Sequence, residues 1–277
     1  MTTLKPAKVH VITGGFPPGS PAGHDMDYAR LRILQLLHEH PHVLATVAND
    51  FMDVARWLPD SQLLITYVAG PHPTDEQDEV IRRWLEAGGR WFALHGTSGG
   101  KAVRVGETRS ARKMVKTSHH NTLGSFFLNH PPVRKFRVHV IDRDHALTRG
   151  LPASFEVIDE LYLIEVQHPS ACHVLLTTEL AKDPSPPGFG FVYDRDTSLQ
   201  PDGKTRVLGY TREFGKGGVA YLALGHCHSP TDHRQRIVDD SVQMSGDAST
   251  LCRGSWETAP FETLLRNAIA WGIGETS

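Results

Sequence analysis

The stretch TDEQDEVIRRWLEAGGRWFALHG, residues 74–96, contains one helix–strand unit that indicates the fold. Thr74 stands three residues before Gln77, which is the spacing of a capping box at a helix N-terminus. The two glycines at 88–89 predict the end of the helix, because glycine accepts the backbone conformation that closes a helix. The continuous apolar run 91–94 then predicts a strand buried on both faces, as in a parallel sheet covered by helices.

The same alternation continues from this unit toward the N-terminus. Residues 25–40 carry apolar side chains at every fourth position of one helix face, and Asp25 stands where it can cap that helix. Three further apolar runs predict strands, namely KVHVIT at 8–13, HVLATVAN at 42–49 and QLLITYV at 62–68. The order β–α–β–α–β predicts a parallel sheet with right-handed crossovers.

The rest of the chain predicts an antiparallel addition to that sheet. Residues 96–128 are polar and contain glycine, which predicts a loop with one helix, and residues 184–203 predict a surface loop. Strands are expected at RKFRVHVID (134–142), LYLIEV (161–166) and HVLLTT (173–178), then a hairpin over 205–226 and a closing helix over 260–273. We therefore expect one α/β domain over residues 1–277, with a doubly wound, mostly parallel sheet, added antiparallel strands and long loop insertions.

Composition excludes several classes of function. The chain has 277 residues, a formal charge of −2 and 22% charged residues, so no strong basic field attracts nucleic acid. No apolar run reaches the roughly 18 residues of a membrane span, and the N-terminus lacks the apolar region of a signal peptide. Cys172, Cys227 and Cys252 show no CxxC spacing, which favours a reducing compartment. We expect a cytoplasmic protein that binds a small molecule and no nucleic acid or membrane; whether it is a homodimer stays open.

Histidine is the residue type that indicates a site, with 17 copies in the chain. His95 follows the apolar run 91–94, and His226 follows a second such run in GGVAYLALGHCHSP, residues 217–230. His24 lies in the loop after the first predicted strand. Because ligands of open parallel sheets bind beyond the carboxyl ends of the strands, we expect these three imidazoles to meet at one edge.

Six blocks of the sequence, in order, resemble those of the trehalose-utilisation (ThuA-like) family. They are Gly14-Gly15 with His24-Asp25, ALHG (93–96), LGSFFLNHP (123–131), DRDHALTRGL (142–151), DELY (159–162) and YLALGH (221–226). The resemblance implies the flavodoxin-like fold of the class I glutamine amidotransferase-like superfamily. It also implies a role in sugar catabolism, on trehalose-like disaccharides or their 3-keto oxidation products.

The resemblance is incomplete at the position of the superfamily's nucleophile. Amidotransferases of the superfamily place a nucleophilic cysteine on a sharp strand-to-helix turn, where this chain has His95. Imidazole cannot form the stable thioester of glutamine hydrolysis, so we expect no amidotransferase activity. FPPGSP (16–21) lengthens the loop before His24, and segments 97–122 and 227–258 are long for the family. These segments border the expected pocket, so substrate preference does not follow from the resemblance.

Seven residues are candidates for the site. We expect catalytic roles for His95, Glu160 and His226, and substrate contacts from His24, His130, Tyr162 and His228. Adjacent strand residues face opposite sides, so Glu160 is expected in the pocket and Asp159 in solvent or at a loop cap. The adjacent histidines at 119–120 are expected in an exposed loop.

Two mechanisms fit such a cluster. His24, His95 and His226 with one carboxylate are candidates to hold a divalent metal ion that polarises a carbonyl or a hydroxyl group. Without a metal, the imidazoles and Glu160 would act as general acid and base. On a 3-keto sugar either mechanism permits isomerisation, elimination or hydrolysis. A third hypothesis is a non-catalytic sugar-binding or partner subunit with a degenerate amidotransferase-like site.

Overall fold

The computed structural model describes residues 6–15, 22–106, 111–229, 241–242 and 251–275. The strands are β1 (Ala7–Gly15), β2 (Val43–Ala48), β3 (Leu63–Ala69), β4 (Arg90–Leu94), β5 (Lys101–Val105), β6 (Ala111–Val115), β7 (Ser125–Asn129), β8 (Arg134–Val140), β9 (Ser154–Asp159), β10 (Leu163–Val166), β11 (Cys172–Glu179), β12 (Thr205–Phe214) and β13 (Gly217–Leu222). The helices are α1 (Met26–His38), α2 (Val54–Trp57), α3 (Asp75–Ala87), α4 (His119–Leu123) and α5 (Ala259–Ile273).

The main sheet has nine strands in the order β2-β1-β3-β4-β13-β12-β11-β8-β9. The first five strands in this order are parallel to their neighbours. From β13 onward each pair is antiparallel. The predicted α/β class is therefore confirmed, and the antiparallel strands extend one side of the parallel sheet.

The sequence signals at the ends of α1 and α3 act as predicted. The Asp25 side chain accepts a hydrogen bond from the Tyr28 N–H at the start of α1. Thr74 and Gln77 form the capping box of α3, which ends at Gly88 with a φ of 122°. Helices α1 and α5 pack against each other and α5 contacts β1, β3 and β4, whereas α3 contacts β13.

The central strands bring the residues that follow them to one edge of the sheet. Strands β3, β4 and β13 consist almost entirely of buried residues. The parallel register of β4 and β13 pairs Leu94 with Leu222. Residues that follow these two strands therefore emerge side by side at the carboxyl edge of the sheet.

The segment 96–128 differs from the expected loop with one helix, because it also contains β5, β6 and β7. The β5–β6 ribbon is largely exposed, so its sequence lacks the apolar alternation that predicts a strand. Strand β7 is buried and pairs with β10, which begins at Leu163. Strand β9 is a further strand that the sequence analysis did not predict.

The long loops are described only in part. Residues 184–203 form the predicted loop, and the buried Arg206 guanidinium holds it by donating hydrogen bonds to Asp196 and to the Leu180 carbonyl. The FPPGSP insertion at 16–21 lies outside the described residues, as do positions 230–240 and 243–250 of the second long segment. No helix in the described part of the chain is long and apolar enough to cross a membrane.

Candidate functional site

Four buried side chains meet at the carboxyl edge of the sheet, as the sequence analysis expected for three of its histidines and for Glu160. His95 follows β4, Glu160 follows β9, His226 lies beyond β13, and His24 lies between β1 and α1. One ligand atom from each of these residues lies within 4.8 Å of those of the others. We refer to these four residues as the His–Glu cluster.

His95 occupies a sharp turn from β4 into a 3₁₀ turn. Its φ is 44°, in the left-handed region that non-glycine residues rarely adopt. Gly96 makes the turn possible, since a Cβ atom there would lie 2.6 Å from the Val68 carbonyl oxygen. The His95 Nδ1 lies 2.8 Å from the Ala223 carbonyl oxygen, to which it donates, and Nε2 lies 3.4 Å from the Glu160 carboxylate. The backbone thus aims one ring nitrogen into the cluster.

His226 contacts Glu160 with one ring nitrogen and His228 with the other. The Nδ1 atom lies 3.1 Å from Glu160 Oε2, and Nε2 lies 2.7 Å from His228 Nδ1. Because these two contacts use opposite nitrogens of the ring, His228 lies on the far side of His226 from Glu160. His228 is also buried. Its backbone pairs with Cys252, which fixes the segment on which it lies.

His24 completes the cluster from the opposite side of the sheet edge. Its ring lies 5.2 Å from that of His95 and 5.1 Å from that of His226, between centroids. The Nδ1 atom donates to the Ala22 carbonyl oxygen at 3.1 Å, so Nε2 carries the lone pair. The backbone N–H of Asp25 donates to the Cys227 carbonyl, which ties this loop to the segment after β13.

The nitrogens that face the cluster are buried without a hydrogen bond of acceptable geometry. This holds, within the described residues, for His24 Nε2, His95 Nε2 and His226 Nδ1. Buried polar atoms normally have a hydrogen-bond partner, and one without a well-formed hydrogen bond indicates a bound water or ion, or a functional role. In each ring the other nitrogen is held by a carbonyl or a second histidine, which is the arrangement that orients metal-binding histidines.

The charges in the cluster are strongly coupled. Burial raises the cost of ionising Glu160, but the neighbouring His130 and His226 outweigh it and hold the pKa of Glu160 well below its usual value. Burial also disfavours the charged form of His226, yet Glu160 raises the pKa of His226 above its usual value. For His24, burial and then the charges of His226 and His95 lower the pKa well below 6.5. One carboxylate therefore stabilises positive charge in a dry site.

His130 and Tyr162 extend the site, in agreement with their expected positions near Glu160. His130 Nδ1 lies 3.7 Å from Glu160 Oε1 and donates to the Pro131 carbonyl oxygen at 2.9 Å. Burial lowers the pKa of His130, and Glu160 opposes this effect. The Tyr162 ring stacks on His95 with the centroids 3.9 Å apart. Tyr162 thus contacts the cluster with the face of its ring. Burial keeps the pKa of Tyr162 well above 10.

Asp159 is wrongly predicted as a solvated or capping residue. Its side chain is fully buried and accepts hydrogen bonds from the N–H groups of Gly225 and His226, each at 2.9 Å. It also accepts from Glu160 N, from Ser255 N and from the Ser255 hydroxyl. Asp159 therefore holds the segments that carry two cluster residues. Its partners at 225–226 and 255 are distant in sequence, so no local pattern indicates this role.

The adjacent histidines at 119–120 are also wrongly placed by the sequence analysis, since both are buried in α4. His119 Nε2 donates to the Thr97 carbonyl oxygen, and His120 Nε2 to that of Gly99. These nitrogens are engaged with backbone carbonyls, and the pair packs the segment 97–99 against α4. These contacts give the pair a structural role.

Comparisons with known proteins agree with this fold. A family model described as trehalose utilisation (ThuA) matches residues 21–238. A ThuA-like protein of Bacteroides uniformis superimposes with a TM-score of 0.62 at 17% identity, over 98% of this chain and 94% of that chain. A ThuA-like protein of Parabacteroides merdae gives 0.58 at 16% identity, over 99% and 92%.

The same fold occurs inside a larger enzyme. A β-galactosidase from Rahnella sp. R3 superimposes with a TM-score of 0.56 at 14% identity, over 98% of this chain and 32% of that chain. No protein of curated function matches the chain. At these identities the structural matches show the fold alone.

Proposed function

Since this chain belongs to the ThuA (trehalose utilisation) family, we propose that it is a sugar-catabolic enzyme with a divalent metal ion at the His–Glu cluster. The family match supports a role in sugar metabolism, and the proposed substrate is a disaccharide-derived or 3-keto glycoside. The proposed chemistry is isomerisation, elimination or hydrolysis. Glutamine hydrolysis is not proposed, because the residue at the sharp turn after β4 is His95.

The observation that carries the proposal is the convergence of three buried imidazole nitrogens on one carboxylate, none of them with a hydrogen bond of acceptable geometry. Imidazole and carboxylate donors together suit divalent ions of the first transition row better than magnesium or calcium, which prefer oxygen ligands. His24, His95, His226 and Glu160 would hold the ion. When bound, it would supply polarisation of a substrate carbonyl or hydroxyl group.

The protonation of the free cluster fits this proposal. Glu160 favours a proton on the nearby His226, whose Nδ1 lies 3.1 Å from the carboxylate. Metal binding requires deprotonated ligands and releases protons. We therefore expect an ion to compete with a proton for His226, so that metal affinity rises as protons become scarce.

His130 is the proposed base for the substrate. It is adjacent to Glu160 and, with 15% of its side chain exposed, it is the most accessible imidazole of the site. Because burial lowers its pKa, His130 is neutral near pH 7, and its Nδ1–H is held by the Pro131 carbonyl. The other ring nitrogen is then free to accept a proton from a carbon beside a keto group. Tyr162, which keeps its proton, stacks on the His130 ring with the centroids 5.7 Å apart.

The experiment is metal analysis of the purified protein together with calorimetric titration of the stripped protein with Zn²⁺, Mn²⁺ and Co²⁺. We expect one bound ion for each chain, and a loss of at least about a hundredfold in affinity for His226→Ala, since one ligand is removed. His173→Ala is the matched control, because its imidazole is largely exposed and pairs with Asp142 away from the cluster.

Turnover is measured on 3-keto disaccharides with the same variants. His95→Ala and His226→Ala should each remove turnover while the folded far-UV spectrum remains. If the stripped wild-type protein turns over at the full rate, the metal proposal is wrong and acid–base catalysis by Glu160 and the histidines replaces it. Sugar binding without any turnover would instead support a non-catalytic sugar-binding subunit.

A further inference from the structure

A series of aromatic ring contacts links the His–Glu cluster to Phe189. Tyr162 lies against His95, and Phe127 lies 4.3 Å from Tyr162 between centroids. His130 lies 5.7 Å from Tyr162, and Phe189 meets the His130 ring edge-on at 5.6 Å. The imidazole of His130 thus contacts Phe189 and, through Nδ1 at 3.7 Å, Glu160.

The backbone around Phe189 is shaped to place this ring. Gly188 and Gly190 both have left-handed φ values, of 82° and 69°. A Cβ atom at Gly190 would lie 2.1 Å from Asn129 Oδ1. The same oxygen accepts a hydrogen bond from Phe191 N at 2.9 Å, so the loop is pressed onto the end of β7.

A polar network fixes the base of this loop beside the site. Asp183 accepts hydrogen bonds from Ser185 N and from the Tyr193 hydroxyl, both at 2.9 Å. Asn129 Nδ2 donates to Asp183 at 3.1 Å, and the Ser185 hydroxyl, which donates to Asp183 at 2.5 Å, lies 3.4 Å from the His130 carbonyl oxygen. The loop is thus held to the residue that we propose as the base. An aromatic ring on it has a defined position relative to the cluster.

Phe189 is not explained by core packing. Phe191 and Tyr193, on the same loop, pack against the hydrophobic core, whereas Phe189 is outside that core and its residue is only partly buried. Its ring contact is with His130. An aromatic side chain held rigidly, partly exposed and directed at a catalytic site supplies a large apolar contact at low entropic cost.

We propose that Phe189 forms a subsite for the second ring of a disaccharide substrate. The apolar face of a pyranose would stack on Phe189, while the reacting ring lies at His130 and the His–Glu cluster. This inference rests on the proposed function, since it assigns the substrate class of that site. It predicts a preference for two-ring glycosides over monosaccharides.

The test compares a 3-keto disaccharide with the matching 3-keto monosaccharide in wild type, Phe189→Ala and Phe189→Trp. Stacking contacts of this kind are worth about three- to tenfold. We expect Phe189→Ala to raise KM for the disaccharide by about that factor, to change its kcat little, and to affect the monosaccharide less. Phe189→Trp should keep the KM for the disaccharide close to that of wild type. Val192→Ala is the control, since that side chain lies on the same loop and is 44% exposed.

Two measurements separate this proposal from the proposed function. Metal titration of Phe189→Ala should match that of wild type, which shows an intact cluster. If neither wild type nor any variant turns over either substrate, the proposed activity is wrong. The binding of trehalose and of glucose, measured by saturation-transfer NMR, then still tests the subsite. Equal KM or binding changes for one-ring and two-ring sugars, or no change for either, would overturn it.

Discussion

Asp159→Ala should destabilise the protein more than any other single carboxylate removal at this edge of the sheet. The two oxygens of the buried side chain accept five hydrogen bonds, from the N–H groups of Glu160, Gly225, His226 and Ser255 and from the Ser255 hydroxyl. Alanine leaves these donors without an acceptor. Each buried unpaired donor costs about 1–3 kcal/mol, and water entering the vacated space recovers part of it. We expect the free energy of unfolding to fall by about 3–5 kcal/mol.

The change is measured by urea unfolding, followed by far-UV circular dichroism. For a chain of this size the expected loss lowers Tm by about 10 °C. Asp60→Ala is the matched control, because Asp60 pairs with Lys8 on the surface and is 75% exposed. Exposed pairs contribute less than about 1 kcal/mol. If Asp159→Ala and Asp60→Ala unfold at the same urea concentration, the proposed role of the Asp159 hydrogen bonds is wrong.

Asp159→Asn tests whether Asp159 positions the residues of the His–Glu cluster, separately from its effect on the stability of the protein. Asparagine keeps the volume, but its amide nitrogen must face at least two N–H donors, so the backbone of Glu160 and His226 shifts. Groups that orient metal ligands typically change affinity by 10- to 100-fold when they are altered. We expect Co²⁺ binding to weaken by at least about tenfold and its visible spectrum to change under conditions where the variant is fully folded. An unchanged spectrum would show that Asp159 does not position the cluster.

Three further changes test the fold. Burial lowers the pKa of His10 from 6.5 to about 4, so the unfolded state binds the proton first and stability is lost as pH falls below 6.5. Between pH 7.5 and 5.5, His10 should contribute about 1.4 kcal/mol to the loss measured by urea unfolding. His10→Gln should remove that part, and an unaltered pH slope would contradict this. Arg206→Met should cost about 3 kcal/mol and speed proteolysis within 184–203, because a fully buried guanidinium holds that loop; equal cleavage rates would count against it. Gly96→Ala should lower both the stability of the protein and its metal affinity, since the added Cβ would lie 2.6 Å from the Val68 carbonyl oxygen. A fully active variant would show that the turn accommodates the added methyl group without cost.

Residues with a local signal were predictable from the sequence. Thr74 and Gln77 lie three positions apart, and the capping box forms through bonds within that one turn. His95 and His226 follow apolar runs, so a general rule about strand ends was enough to place them together. Because β4 and β13 are parallel neighbours, the rule did not require the loop conformations to be known.

Residues whose role depends on distant partners were not predictable. Asp159 has the same local setting as Glu160, and only its contact with residues 225–226 and 255 makes it a structural centre. The histidines at 119–120 stand in a polar segment, but their burial depends on carbonyls more than twenty positions away. The β5–β6 ribbon has no buried face, so its sequence carries no apolar period.

His95 has a strained backbone conformation, and the residues around it fix that conformation. A left-handed non-glycine residue costs about 1–3 kcal/mol and persists only where its surroundings fix it. Here the Tyr221 hydroxyl donates to the His95 carbonyl at 2.9 Å, and the ring is held by Tyr162 and the Ala223 carbonyl. Such a turn would direct a nucleophile at a substrate, but an imidazole on it faces Glu160 instead. The nearby Cys227 cannot replace the missing nucleophile, because burial raises its pKa and its sulfur lies against the Tyr67 hydroxyl. In the function proposed above, the strained turn orients His95 as a metal ligand or a base.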